Sequence, residues 1–411
     1  MSDMPIGVLL GADSLLGVRS GIGRQALEVA RRLHQTPQIA ALRVLAGGRS
    51  LAAEQLDTLD AATAHAATNG MVSRLAGFIP GAAAVRARWR RRQMNELAAT
   101  MAQQTGGRVV YHEVNLIARP FDGVTVVTVH DLSWRANPQW HAPERNAWIE
   151  RRLPATLAQA TRVVCVSAFT AAEVQRRLGI DGARIDVVRP GVSAMFRPLT
   201  RDAAAPVMAR FALTDRGYLL AVSTREPRKN FDRLLAAHAS LPMPMRQRIP
   251  LVIAGGPGWG EVLAGPDAER ARHDGTLRLV GHVTDAELVA LYARCAASAY
   301  VSLYEGFGLP VLEAMACGAP VIASRTTAVG ETAGDAALLV DPEDTAGIAD
   351  AINQLLNDPA LAAALAGRGV LRAAGFDWDA MTEGLIASWR QALNRSDQQP
   401  ECDAQQDPEQ P

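Results

Sequence analysis

The stretch Tyr300-Val-Ser-Leu-Tyr-Glu305-Gly-Phe-Gly-Leu-Pro310-Val-Leu-Glu313-Ala-Met-Ala-Cys-Gly318-Ala-Pro320-Val-Ile322 carries most of the information in this chain. A short apolar strand is expected to end near Ser302, followed by a glycine-bearing loop. Pro310 stands where a first helical residue belongs, because its missing N–H costs nothing there. The spacing therefore predicts a strand, a loop and a helix, with the N–H groups of Gly308 and Leu309 pointing out of the helix N-terminus. That end carries partial positive charge and suits a diphosphate. Glu305 and Glu313 bracket it, and a carboxylate accepts two hydrogen bonds, so each can hold a vicinal diol. Gly318-Ala-Pro320 then stops the helix before a new strand.

The same alternation runs outward in both directions. Short β-branched runs (Ile6–Leu10, Leu42–Leu45, Val109–Tyr111, Val124–Val129, Arg162–Val166, Ile185–Val188) alternate with helical stretches rich in Ala, Leu and Arg. A second series follows at Tyr218–Val222, Leu251–Ala254, Leu277–Val280, Ala299–Ser302, Val321–Ala323 and Ala337–Val340. Unbroken apolar strands between amphipathic helices predict parallel sheets covered on both faces. Thr170-Ala-Ala-Glu173 and Thr284-Asp-Ala-Glu287 both fit a capping box at a helix start. Between the two series, Arg189–Val207 carries three prolines and no periodic pattern. The fold class expected is α/β, with two doubly wound lobes facing a cleft. The boundaries are 1–198 and 206–376. A last helix near 377–395 crosses back to the first lobe, and the polar tail 396–411 is read as disordered.

The chain has 411 residues, 48% of them apolar, and its 42 basic and 42 acidic residues give a formal net charge of zero. That balance argues against a nucleic-acid partner. The four cysteines show no metal-ligand spacing, which suits a reducing, cytoplasmic setting. No apolar run reaches the roughly 18 residues of a membrane span. The one dense basic run, Arg86–Arg92 with Trp89 inside it, fits either a peripheral contact with anionic lipid or a solvated helix face.

Read together, EGFGLPVLEAMACGAPVI (305–322), SGIGRQALEVARRL (20–33), VVTVHDLSW (126–134), VVCVSAFT (163–170), STREPRKNFDRLL (223–235), LVIAGGPG (251–258) and LRLVGHVTDAELVALYARC (277–295) resemble the retaining family 4 (group 1) glycosyltransferases of GT-B fold. Within that family the chain is similar to bacterial mannosyltransferases of O-antigen or exopolysaccharide synthesis. The resemblance covers nearly the whole chain. It implies a nucleotide-sugar donor, GDP-mannose first among them, a lipid-linked glycan acceptor, and no metal. It assigns Glu313 to the ribose hydroxyls, Glu305 to the donor sugar, and the backbone of Phe307, Gly308 and Leu309 to the phosphates. Arg228 and Lys229 would neutralise the leaving diphosphate. Many relatives carry Gly-Arg where this chain has Ser223-Thr224, so Thr224 marks a missing clamp arginine that Arg225 or Arg228 must replace.

The resemblance places Gly21 and Gly23 against the donor phosphates as a first-lobe glycine loop. Read as a dinucleotide fingerprint, Gly21-Ile-Gly23 fails, because about ten residues separate it from the strand end. His130 would sit beside the donor sugar, with Asp131 orienting its turn. Gly281, His282 and Val283 would line the base pocket, with His282 incidental. Trp134, Trp140 and His141 suit either sugar stacking or local packing. Asp377-Trp-Asp379 has the letters of a D-x-D metal motif but opens the last helix and reads as a cap. Two other functions compete with transfer: a nucleotide-sugar epimerase on the same fold, and a non-catalytic scaffold of a polysaccharide assembly complex.

Overall fold

The computed structural model describes residues 4–16, 21–56 and 82–396. Strands β1 Ile6–Gly11, β2 Ile39–Ala46, β3 Arg49–Leu51, β4 Val109–Glu113, β5 Val124–Val129, β6 Ala160–Cys165 and β7 Ile185–Val187 form one sheet, in the order 3-2-1-4-5-6-7. Strands β8 Leu219–Val222, β9 Leu251–Ala254, β10 Leu277–Gly281, β11 Ala297–Tyr300, β12 Val321–Ser324 and β13 Leu338–Val340 form a second, in the order 10-9-8-11-12-13. Every pairing is parallel except β2 with β3. That three-residue antiparallel edge corrects the all-parallel expectation. It turns on Gly47 and Gly48, both at positive φ, a hairpin too short to leave an alternating pattern.

The helices on the first sheet are α1 Gly21–Gln35, α2 Ala82–Thr105, α3 Ser133–Ala136, α4 Pro143–Gln159 and α5 Ala168–Leu178. Next come α6 Arg201–Arg210, α7 Phe231–Ala239, α8 Met243–Arg248, α9 Pro266–His273 and α10 Asp285–Arg294. The last are α11 Leu309–Ala316, α12 Thr327–Ala333, α13 Thr345–Asn357, α14 Pro359–Ala373 and α15 Trp378–Ser396. Helix α6 starts inside the stretch read as patternless and runs three residues past its end. Its buried Ala204 and Met208 are too few to show a period, and Pro206 masks it further. The capping box at Thr284 is present as read. The one at Thr170 is not: Ser167 is the N-cap, accepting from the Thr170 backbone N–H, and Glu173 pairs with Arg176 and Arg177 instead.

Apolar strands explain the cores. The second sheet is packed on both faces, by Leu220, Val252, Leu291 and Val311 on one side and Leu219, Ile253, Leu234 and Ile352 on the other. Helix α15 leaves the second lobe and completes the first. Its Trp378, Met381, Leu385 and Trp389 share a buried cluster with Val8, Leu10 and Val110. The Trp389 indole N–H donates to His112 Nδ1 at 2.8 Å, which fixes the helix over β4. Asp377 accepts from the Asp379 backbone N–H at 3.1 Å, the capping role expected of it. Residues 397–411, read as a disordered tail, lie outside the described residues. In each sheet the strand order reverses once, between β1 and β4 and between β8 and β11. Ligands of open parallel sheets bind outside the strand C-termini at such reversals, which in the second lobe is where the loops after β8 and β11 lie.

Candidate functional site

The loops after β8 and β11 meet through their side chains. The first carries Arg228 and Lys229, the second Glu305. Lys229 Nζ donates to Glu305 Oε1 at 2.6 Å, and Arg228 Nη1 donates to Glu305 Oε2 at 2.8 Å. The Tyr300 hydroxyl donates to Glu305 Oε1 at 2.9 Å and itself accepts from Lys229 at 2.9 Å. Burial alone would raise the Glu305 carboxyl, but Arg228 and Lys229 outweigh it and hold it at about 2. Burial and Arg228 push the Lys229 ammonium below its ordinary value, with Glu305 opposing. For Arg228 burial works against the charge, and Glu305, Asp131 and Glu226 raise it instead. The Glu226 carboxylate also accepts from Arg228 at 2.9 Å and from the Thr224 hydroxyl at 2.6 Å. Buried Lys229 and half-buried Arg228 are thus balanced by two buried carboxylates. Arg225 takes no side-chain partner among the described residues.

Eight positions on, Glu313 has a different surrounding. It lies on α11, which starts at Leu309 with Pro310 in second rather than first place and Gly308 as the left-handed cap at φ +102°. Its Oε1 accepts from Arg24 Nη1 at 2.8 Å, and Arg24 comes from α1 in the other lobe. The second Arg24 nitrogen donates to Asp285 at 2.6 Å. Burial lifts the Glu313 carboxyl to about 7, with Arg24 opposing and Asp285 adding to the rise. One glutamate of the pair is held firmly ionised; the other titrates near neutrality.

The turn between them lies at the junction of the lobes. Gly306 offers its carbonyl to the Ser167 and Thr170 hydroxyls of the first lobe, at 2.7 and 3.1 Å. A Cβ on Gly306 would fall 1.6 Å from the His130 carbonyl oxygen, so only glycine allows this approach. Residues 304–308 are all buried, Gly306 against first-lobe backbone and the Tyr304 hydroxyl on Glu173 at 3.3 Å, so the turn lies inside the interlobe junction rather than along an open crevice. Gly21, opening α1, sits over α11: a Cβ there would be 3.4 Å from the Leu309 side chain. Gly21 therefore reaches the second lobe's helix start, and Gly23 lies buried one half-turn further along α1.

The other predicted residues divide. His130 Nε2 donates to the Val114 carbonyl at 2.7 Å, leaving Nδ1 as the acceptor of a neutral ring that burial keeps below its usual pKa. Asp131 accepts from the Ser133 backbone and hydroxyl, at 2.9 and 2.7 Å, and so orients the turn. Gly281 ends β10 at φ +72°, its carbonyl accepting from Gly255 at 2.8 Å, and Val283 packs on the core. His282 is exposed. Phe307 turns its ring into the core against Phe376, and its carbonyl takes the Thr332 hydroxyl at 2.7 Å. Trp134 is buried with its N–H on Glu150 at 2.8 Å, which decides for packing over sugar stacking. The Trp140 carbonyl accepts from the indole of Trp259, a second-lobe residue, at 2.5 Å.

Sequence reasoning missed Arg24, Tyr300, Asp285 and Thr327. Arg24 follows the glycine pair directly, but nothing local shows that it reaches a residue 289 positions away. Thr327 holds φ +60°, unusual for a β-branched residue, beside Ala328, whose N–H donates to the Glu305 carbonyl at 3.4 Å.

Comparison with known proteins agrees with this architecture. Residues 209–370 match the family model "Glycosyl transferases group 1", and residues 19–195 match "Glycosyltransferase Family 4". The chain is 32% identical over 371 residues to O-antigen chain mannosyltransferase B of Escherichia coli, covering 90% of this chain and 96% of that one. It is 32% identical over 308 residues to D-inositol 3-phosphate glycosyltransferase of Salinispora arenicola, covering 68% and 66%. Among solved structures, sucrose-phosphate synthase of Thermosynechococcus elongatus superposes with a TM-score of 0.65 at 20% identity, covering 95% of this chain and all of that one. Anabaena HepE in complex with UDP and glucose superposes at 0.64 and 16% identity, covering 94% and 100%. With both sheets, the crossing helix and these matches in place, the chain belongs to the group 1, family 4 glycosyltransferases of GT-B fold.

Proposed function

We propose that this glycosyltransferase moves a mannosyl group from GDP-mannose, with retention of anomeric configuration, to a hydroxyl of a lipid-linked glycan during surface polysaccharide synthesis. The observation that carries the transfer reading is the meeting of Arg228, Lys229 and Glu305 at the strand reversal of the second sheet, in the loops that lead into the helix bearing Glu313. The mannosyl donor and the polysaccharide setting draw on the likeness to the O-antigen mannosyltransferase.

In this reading the Glu313 carboxylate accepts the ribose hydroxyls, and the α11 N-terminus receives the diphosphate. Arg228 and Lys229 stabilise the charge that grows on the leaving phosphate oxygen, a task fixed cations perform without a metal. Glu305 balances those cations before the donor arrives and aligns the sugar afterwards. The neutral His130 ring offers Nδ1 as an acceptor for a sugar hydroxyl. The acceptor oxygen attacks the anomeric carbon on the face from which the nucleotide departs, and its proton passes to the leaving phosphate.

Labelled GDP-mannose, incubated with the protein and a membrane extract, tests this directly. Label should enter lipid, and Glu313→Ala should abolish most of that transfer while the protein stays folded. Lys229→Met should lower kcat by about 10²–10³-fold, the usual cost of losing one preorganised charge-stabilising group. Wild-type rates in the Glu313 variant would remove the site assignment.

Attachment to the membrane face through α2 belongs to the same proposal. Trp89 is 60% exposed, with Arg88 and Arg90 exposed beside it. Arg91 and Arg92 are already paired with Asp122 and Glu96, and no helix among the described residues is long and apolar enough to cross a bilayer. Flotation with anionic liposomes, unchanged by Arg88→Glu together with Arg90→Glu, would count against attachment.

A further inference from the structure

Arg24 stands on the first turn of α1, and its side chain is 19% exposed between the two lobes. Its guanidinium bridges two second-lobe carboxylates, with Nη1 on Glu313 at 2.8 Å and Nη2 on Asp285 at 2.6 Å. The ring of Phe196 lies 5.3 Å from its Cζ, so the planar group is held on one face as well as by two edges. Nothing in the transfer reaction described above uses this residue.

Two arrangements are physically open when a nucleotide arrives. Arg24 could compete with the ribose for Glu313, so that donor binding breaks the bridge. Alternatively the two share it, because an ionised carboxylate offers about four acceptor positions and Arg24 occupies one oxygen. Burial favours sharing. A carboxylate stripped of its cation in that pocket would be left between Asp285 and the Tyr292 hydroxyl, with the Cys317 thiol behind it, none of which stabilises a negative charge as a cation does.

We propose that Arg24 is a positioning residue of the nucleotide site, reaching from the opposite lobe to orient the Glu313 carboxylate that receives the ribose hydroxyls, so that nucleotide binding and lobe closure are one event. This rests on the reading of Glu313 as the ribose ligand. It also has a charge consequence. Glu313 titrates near neutrality with Arg24 present and opposing the effect of burial. Removing Arg24 raises that carboxyl further and protonates it at pH 7, where it then accepts fewer hydrogen bonds.

Calorimetric titration of the full-length protein with GDP and with UDP, between pH 6 and pH 9, tests the idea without needing the acceptor. Arg24→Gln should weaken binding by about tenfold at pH 7, the equivalent of one pKa unit. The deficit should narrow toward pH 9 as Glu313 ionises again, and Arg24→Lys should recover part of it. Equal or tighter binding by Arg24→Gln at pH 7 would overturn the proposal in favour of competition. A loss that ignores pH and is not rescued by lysine would overturn it in favour of simple packing. Glu313→Gln separates the two layers of the argument: if it binds both nucleotides like the wild type, the ribose reading fails and this inference with it. If it binds weakly while Arg24→Gln binds normally, only the role of Arg24 falls.

Discussion

Three buried glutamates of this enzyme show how far one side chain can be tuned by its neighbours. Glu305, between Arg228 and Lys229, sits at about 2, whereas burial lifts Glu313 and Glu113 to about 7. Glu113 ends β4, accepts from the Tyr111 hydroxyl at 2.7 Å and the Asn115 backbone at 3.1 Å, and takes no ion pair among the described residues. The signs follow from linkage. The contribution of Glu305 to stability is present above the unfolded carboxyl value and is lost only as pH falls through about 2. That of Glu113 is present below the unfolded value and is lost as pH rises through about 7. Glu113→Gln should therefore flatten the fall in Tm between pH 5 and pH 8, removing a penalty of at most about 3 kcal/mol. Calorimetric scans at the two pH values check this, and an unchanged slope would contradict it. Glu305 and Glu313 stand out in the sequence because they share one short glycine- and proline-framed stretch, whereas Arg228 and Lys229, 77 and 76 positions from Glu305, were marked only by the family resemblance. The opposite ionisation of the two glutamates was not legible, since each is set by atoms contributed from other loops.

At the level of elements, one glycine holds the central loop and one cap fixes the start of α10. Gly306 lets the turn after β11 reach the His130 carbonyl, and a methyl group there would overlap that oxygen. Gly306→Ala should force the turn off the first lobe, costing about 1–3 kcal/mol as overpacking does, and should lower transfer more than it lowers Tm. Rates and melting curves measured on the same preparation decide it. Thr284→Ala should cost about 1 kcal/mol by removing the hydroxyl that caps α10. The Thr284 box was legible because strand, cap and helix follow in register. The Thr170 box was misplaced because Ser167, three residues earlier, competes for the same helix start, and only the chain path shows which one wins. The edge strand at Arg49–Leu51 and the helix at Arg201–Arg210 were missed for a related reason, since three or ten residues with few buried positions carry no measurable period.

Over the whole molecule, the lobes are tied together at several separate places. Arg24 joins Glu313 and Asp285. Glu331 on α12 accepts from the Ala168 and Phe169 backbone N–H groups at 3.2 and 3.1 Å and from Arg189 at 3.2 Å. The Trp259 indole reaches Trp140. Helix α15 adds the largest tie, with Trp378 and Trp389 fully buried against the first sheet. Trp389→Ala should destabilise the first lobe by about 3–5 kcal/mol and free His112 from its indole partner. Hydrogen exchange rising in β4 and β5 while β8 and β9 stay protected is the expected pattern, and uniform exchange would refute it. The sequence by itself determined two α/β lobes, the helix that returns, and the strand, loop and helix that carry residues 305–313. These depend on apolar period, glycine and proline placement and close spacing, all local properties of a chain. Only the tertiary structure decided that Glu305 is already claimed by its own cations, that the turn is closed against Ser167 and Thr170, and that Arg24 reaches Glu313. Those pairings join residues tens to hundreds of positions apart, and their geometry exists only once the loops of the second lobe have met and the two lobes have come together.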